Sequence, residues 1–188
     1  LDGVSSKPYP ISVSKVQYSQ GNAPYFFQAS VDKTELYVQE QLIYTLRFFH
    51  KGSLMGGNIR HPQFKNALVE QIKEQSIYGK TINNQTYTVY EWQYAVFPQS
   101  SGNLEINTPS FSGILQLRSG QKRINAVADL VEVKVLPALD AVKLGQSKWL
   151  PAQALSLTEK WHKLPDTIHI GDSLKRTITL EVEGLMAT

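Results

Sequence analysis

The stretch Gln41-Leu42-Ile43-Tyr44-Thr45-Leu46-Arg47-Phe48-Phe49-His50 decides the fold. In an extended chain successive side chains point to opposite sides. Leu42, Tyr44, Leu46 and Phe48 therefore share one face, and Ile43, Thr45, Arg47 and Phe49 share the other. Thr86 to Phe97 repeats the pattern, with Tyr90, Trp92, Tyr94 and Val96 on one side. Such strict alternation marks strands rather than helices. The two segments are expected to be central strands of one sheet or of two opposed sheets, with Leu46, Trp92 and Tyr94 buried. The aromatic stripe is read as core rather than as a platform for sugars or peptides.

Turn signals divide the chain on either side. Tyr25 to Val31 is a strand between Asn22-Ala23-Pro24 and Asp32-Lys33, and Glu35 to Val38 is a short one ended by Gln39-Glu40. Lys51 to Lys65, with Gly52, Gly56, Gly57 and Pro62, reads as a long irregular loop around a short segment at Asn58 to Arg60. Leu68 to Lys73 alternates again. Tyr78 to Ile82 and Thr86 to Phe97 form a hairpin about Asn83-Asn84, residues that tolerate positive φ. Pro98 and Ser101-Gly102 stop the second arm, because proline has no N–H for a central ladder. Leu104 to Asn107, Ile114 to Arg118 and Ile124 to Leu136 follow, with Ser119-Gly120 as a turn. About eight strands between Pro24 and Pro137, with almost no helical period, predict an all-β, immunoglobulin-like β-sandwich.

The chain then repeats itself. Leu36-Tyr37-Val38-Gln39-Glu40-Gln41-Leu42 is echoed 132 residues later by Ile168-His169-Ile170-Gly171-Asp172-Ser173-Leu174. At the same offset Thr177-Ile178-Thr179-Leu180 echoes Thr45-Leu46-Arg47-Phe48. Repetition at domain-sized spacing predicts tandem domains. Residues 1–22, including the alternating Ile11 to Val16, are expected to be the terminal strand and linker of a preceding β domain. Residues 23–137 form the complete sandwich, and 138–188 a linker and the opening strands of a second one. Leu1-Asp2-Gly3 shows neither an initiator Met nor a signal peptide, so the chain is expected to be part of something longer. A few opening strands cannot close a sandwich. Leu174 to Val182 is therefore expected to add to an available sheet edge, within the chain or across a dimer, and Leu174, Arg176, Ile178 and Leu180 are the candidate partner-binding edge. Trp149 and Trp161 are expected to fill a seam between domains.

Several kinds of chemistry find no support. The 19 Lys and Arg against 16 Asp and Glu give a net charge of +3. The basic residues are scattered, whereas a nucleic-acid binder gathers them on one face. There is no cysteine, so neither a disulfide framework nor thiolate chemistry is available. His50, His61, His162 and His169 lack the spacing of a helical metal site. No serine sits in a nucleophile-elbow motif, and the glycines between Gly52 and Gly57 lack a phosphate loop's pattern and lysine. Asp32, Glu40, Asp166 and Asp172 read as turn residues bonding their own backbone rather than as calcium ligands. No apolar run approaches the ~20 residues that span a bilayer. No catalytic residue, metal ligand, cofactor or small-molecule substrate is expected.

Several motifs together resemble the BatD, or oxygen-tolerance, family. They are Pro24-Tyr25-Phe26-Phe27-Gln28-Ala29-Ser30-Val31-Asp32-Lys33, Tyr37-Val38-Gln39-Glu40-Gln41, Tyr94-Ala95-Val96-Phe97-Pro98-Gln99-Ser100-Ser101-Gly102, Pro109-Ser110-Phe111-Ser112-Gly113, Trp149-Leu150-Pro151-Ala152 and Gly171-Asp172-Ser173-Leu174-Lys175-Arg176-Thr177-Ile178-Thr179-Leu180. Gln39 stands where the family usually has Gly before Glu40, and Gln93 where Arg is common before Tyr94. The resemblance implies a bacterial protein with tandem periplasmic β domains, anchored to the inner membrane. It also implies von Willebrand A domain proteins and MoxR-type AAA ATPases as associates, and a role in aerotolerance or envelope stress. The family pattern carries no catalytic residues. The resemblance thus implies a protein-binding module, with an architectural spacer or chaperone-like domain as the alternative. A hydrolase using His50 or His61 comes third.

Overall fold

The structure is a computed structural model that describes residues 23–139, 149–162, 167 and 169–185. The two alternating segments lie side by side at the middle of one antiparallel sheet. β3 (Leu42–His50) and β7 (Gln85–Pro98) pair in the register Leu42↔Val96, Leu46↔Trp92, Phe48↔Tyr90. β1 (Tyr25–Val31) covers the other side of β3, and β6 (Ala67–Ile82) the other side of β7. Directly opposed residues of an antiparallel pair point to the same face. The pairing therefore lines up Leu42, Tyr44, Leu46 and Phe48 with Trp92, Tyr94 and Val96 on one surface, and all are buried.

That surface packs on a second sheet made of β4 (Ser53–Arg60), β10 (Ser110–Leu117) and β11 (Gly120–Val127), in the order β11-β10-β4. Phe111, Leu115, Ile124 and Ala126 supply its half of the core. Small bridges close the ends. β2 (Glu35–Tyr37) pairs in parallel with β12 (Lys134–Leu136), which also pairs antiparallel with β8 (Gly102–Asn103). β5 (Gln63–Phe64) meets β9 (Ile106–Asn107). The architecture is the expected all-β, immunoglobulin-like sandwich. Asn83 and Asn84 both have positive φ, at 49° and 59°, as a two-residue hairpin turn between β6 and β7 requires.

Three expectations need correction. The predicted loop from Lys51 to Lys65 is largely strand β4, paired along its length with β10. Of its glycines, Gly57 makes room for a ring. Gly57 and Gly113 are cross-strand partners, and a Cβ on either would stand less than 3 Å from the Phe111 ring, which stacks on Phe48. Leu68 to Lys73 and Tyr78 to Ile82 are one strand, β6, interrupted by register shifts between Gln71 and Ser76. An edge strand bulged in this way resists pairing with stray chains. Ile124 to Leu136 is not a single strand. It leaves its sheet after Val127, with Ala128 N–H donating to the Pro109 carbonyl, and re-forms as β12 against β2.

Beyond the sandwich, β13 (Ala154–His162) and β14 (Lys175–Glu183) form a separate two-stranded antiparallel sheet. Ile11 to Val16 lies outside the described residues.

Candidate functional site

The turn before β14 shows how the sequence repeat is built. In the first copy Tyr37 N–H donates to the Glu40 carboxylate at 2.8 Å, Glu40 N–H returns to the Tyr37 carbonyl, and Gln39 adopts φ +64°. In the second copy His169 N–H donates to the Asp172 carboxylate at 2.7 Å, Asp172 N–H returns to the His169 carbonyl, and Gly171 adopts φ +101°. A short acidic side chain at the fourth position holds each turn, and the third residue takes the left-handed conformation that favours glycine. Gln39 takes this conformation without being a glycine.

The strands repeat as well. β14 pairs with β13 as β3 pairs with β1: Arg176↔Trp161, Ile178↔Glu159, Leu180↔Leu157 and Val182↔Leu155 correspond to Tyr44↔Val31, Leu46↔Ala29, Phe48↔Phe27 and His50↔Tyr25. The face that β1 and β3 bury against the second sheet is therefore the face on which Leu155, Leu157, Trp161, Ile178, Leu180 and Val182 stand. Here it is open: Leu157 is 66% exposed, Ile178 54% and Leu180 56%. The opposite face carries Ser156, Thr158, Lys160, Thr177, Thr179 and Glu181.

The four candidate residues come together, on this face and not only on an edge. Leu174 lies just ahead of β14, and Arg176, Ile178 and Leu180 follow at every second position. Arg176 donates to Glu159 at 3.0 Å and lies over the Trp161 ring at 5.4 Å, so its charge is partly neutralised beside the apolar patch. One edge of β14 is taken by β13. Its other edge meets no strand among the described residues. The predicted set omits Leu155, Leu157, Trp161 and Val182. Alternation from Leu155 onward is the signal that could have added them.

Trp149 and Trp161 separate. Trp149 donates from Nε1 to the Val38 carbonyl at 2.7 Å and packs edge-on against Tyr37, fastening the start of the C-terminal segment to the sandwich beside the Gln39 turn. Trp161, 43% exposed, stands on the open hairpin face, where its strand pairs with β14 and with no other strand among the described residues.

The two histidines proposed for hydrolysis sit apart and have no carboxylate partner among the described residues. His50 packs between Phe48 and Tyr90, 3% exposed, with neither ring nitrogen hydrogen-bonded. Burial lowers its pKa, and the nearby backbone of Lys51 and Gly52 opposes this only in part. His61 shares a 2.7 Å hydrogen bond with the Tyr94 hydroxyl and lies edge-on to Trp92. Burial also lowers its pKa and pushes the Tyr94 phenol up to about 12. The pair joins the His61 segment to β7 through a partly buried hydrogen bond. A partly buried ionic contact lies on the sheet's outer face, where Glu91 accepts from Arg47 Nε and from the Tyr78 hydroxyl at 2.9 Å. Burial works against the Glu91 carboxylate, but these two donors outweigh it and hold its pKa below the usual range. With both partners committed to each other, the cluster acts as a structural clamp across β3, β7 and β6.

A family model described as a BatD DUF11 like domain matches residues 29–126, from β1 to β11. No curated protein and no solved structure matches the chain.

Proposed function

The chain belongs to the BatD family, and from that premise we propose that it is a non-catalytic, periplasmic protein-binding and assembly module of a protein anchored to the inner membrane. The BatD domain is not a known enzyme family. The observation that carries the proposal is the β13–β14 hairpin, an amphipathic pair whose apolar face is exposed and whose β14 edge meets no other strand among the described residues. Exposed apolar surface beside an unpaired row of backbone N–H and C=O groups is the chemistry by which a sheet takes up an extended segment of another protein. Main-chain hydrogen bonds supply affinity, and Leu174, Ile178 and Leu180 supply side-chain selectivity. The partners proposed are von Willebrand A domain proteins working with MoxR-type ATPases in aerotolerance or envelope stress. Residues 23–137 are the complete sandwich that presents this segment, 138–188 the linker and opening strands of a second similar domain, and 1–22 the end of a preceding one.

Pull-down from bacterial envelope extracts, with the 188-residue chain as bait, tests this reading. A von Willebrand A domain protein should be retained, and Ile178→Lys with Leu180→Lys should release it. Retention that survives both substitutions would move binding off the hairpin. Failure to retain any such protein would leave the architectural reading, a spacer that holds a binding domain away from the membrane.

A further inference from the structure

Leu136 and Trp149 stand at the two ends of the connection between the sandwich and the hairpin, and both are bonded to Val38. Val38 N–H donates to the Leu136 carbonyl at 2.9 Å, continuing the parallel pairing of β2 with β12. The Val38 carbonyl accepts from Trp149 Nε1 at 2.7 Å, and the Trp149 ring meets Tyr37 edge-on at 5.7 Å. This acceptor is held from both sides. Gln39 N–H donates to the Pro98 carbonyl at 2.7 Å, Tyr37 N–H is closed onto the Glu40 carboxylate, and Lys33 pairs with Glu40. The sandwich alone therefore fixes the carbonyl that receives the indole.

The chain is also stiff between Trp149 and the hairpin. Ala152 N–H donates to the Leu150 carbonyl at 2.9 Å, a three-residue turn with Pro151 at its centre, where the proline ring fixes φ close to what the turn requires. Gln153 N–H then donates to the Glu183 carbonyl at 2.9 Å, so the residue after the turn is already bonded to the end of β14. We propose that Trp149 is the latch of a rigid joint that sets the direction in which the hairpin leaves the sandwich. With the indole seated on Val38, residues 138–148 do not govern how far the hairpin can move, because the chain leaves the sandwich and returns to it at one residue. Trp149 is half-buried and held by one hydrogen bond and one ring contact, so the joint can open. With the latch open, residues 138–148 become the tether, and a chain of that length left free has a root-mean-square reach of about 18 Å. The joint is independent of any partner that the hairpin binds.

The natural chain has no cysteine, so spin labels can be placed on two introduced thiols, Gln121→Cys on β11 and Thr158→Cys on the polar face of β13, both at exposed positions. Label-to-label distances, measured by pulsed electron resonance on the 188-residue chain, should form one narrow distribution. Trp149→Phe keeps a ring beside Tyr37 but removes the N–H donor, and Trp149→Ala removes both. The distribution should widen with Phe and widen further with Ala, to a spread on the order of 18 Å. Trp149 lies outside the sandwich core, so β3 amides should stay slow to exchange in both variants. A Gly–Ser insertion after Gly145 lengthens the connection and leaves Trp149 in place. It should not change the distribution while Trp149 is present, and it should widen that of Trp149→Ala, because connection length matters only once the latch is open. A broad distribution in the labelled chain with Trp149 present, or one that the insertion widens, overturns the proposal. So does either Trp149 variant with a distribution as narrow as that of the chain with Trp149 present.

Discussion

His50 ends β3 with its ring between Phe48 and Tyr90 and without a hydrogen bond, so the fold holds it in the neutral form. The groups around it are Tyr25, opposite it on β1, Tyr90 on β7, and the backbone of Lys51 and Gly52, which opposes the effect of burial in part. None is an anion that would stabilise an imidazolium. Burial places the folded-state pKa below that of the unfolded chain, which is about 6.5. As pH falls the unfolded chain takes up the proton first. The stability that neutral His50 contributes is fully present above that value and is lost as pH drops through the folded-state pKa. His61, shifted in the same direction, adds to the slope. The urea midpoint should fall between about pH 7 and about pH 5, and His50→Phe should flatten that fall in part. An unchanged pH slope in the His50→Phe variant would sink the assignment. The sequence pattern points to structural roles for these histidines. That His50 is left without a partner is not readable from its neighbours in the chain, because the rings that enclose it come from two strands.

The repeated turn is the clearest link between sequence and element. Both copies set a carboxylate three residues after the N–H it accepts, and both need a left-handed residue between. The second copy has Gly171 there; the first holds Gln39 at φ +64°. A side chain in that conformation costs about 1–2 kcal/mol relative to the right-handed region, and glycine removes most of it at some entropic expense. Gln39→Gly should therefore raise stability by roughly 0.5–1 kcal/mol, measured by urea denaturation. A loss of stability would mean that the Gln39 side chain makes a contact the backbone does not reveal. The glycines of β4 had the opposite fate. Their spacing suggests a loop, yet both are strand residues: Phe111, far later in the chain, occupies the space a side chain at Gly57 would need, while Gly56 faces open space with φ +146°. Glycine announces a special backbone or a close neighbour, and only the neighbour tells which.

At the scale of the molecule the chain divides into a sandwich with two packed layers and a hairpin with one. β3 and β7, sealed on one face by the second sheet and paired on both edges, should hold the slowest-exchanging amides of the sandwich. β14 has one open edge and no second layer among the described residues, so its amides should exchange much faster than those of β3 at low protein concentration. Exchange as slow in Lys175–Glu183 as in Leu42–His50 at every concentration would show that something else covers the hairpin. Trp149, bonded to the Val38 carbonyl, ties the first residues after the linker to the sandwich without supplying that cover.

Local pattern alone determined the strand character of the segments that became β3 and β7, the Asn83-Asn84 turn and the resemblance of one region to another, but not that β3 and β7 pair in one sheet or that Lys51–Lys65 holds a strand. Each depends on side-chain alternation or on turn chemistry within a few residues. Alternation assigns a strand two faces but does not say what lies against either. Leu46 and Ile178 occupy matching places in matching strands. Leu46 is fully buried and Ile178 more than half exposed, because only the first has a second sheet packed over it. Which apolar face becomes core and which is left for a partner is decided by contacts between elements far apart in the chain.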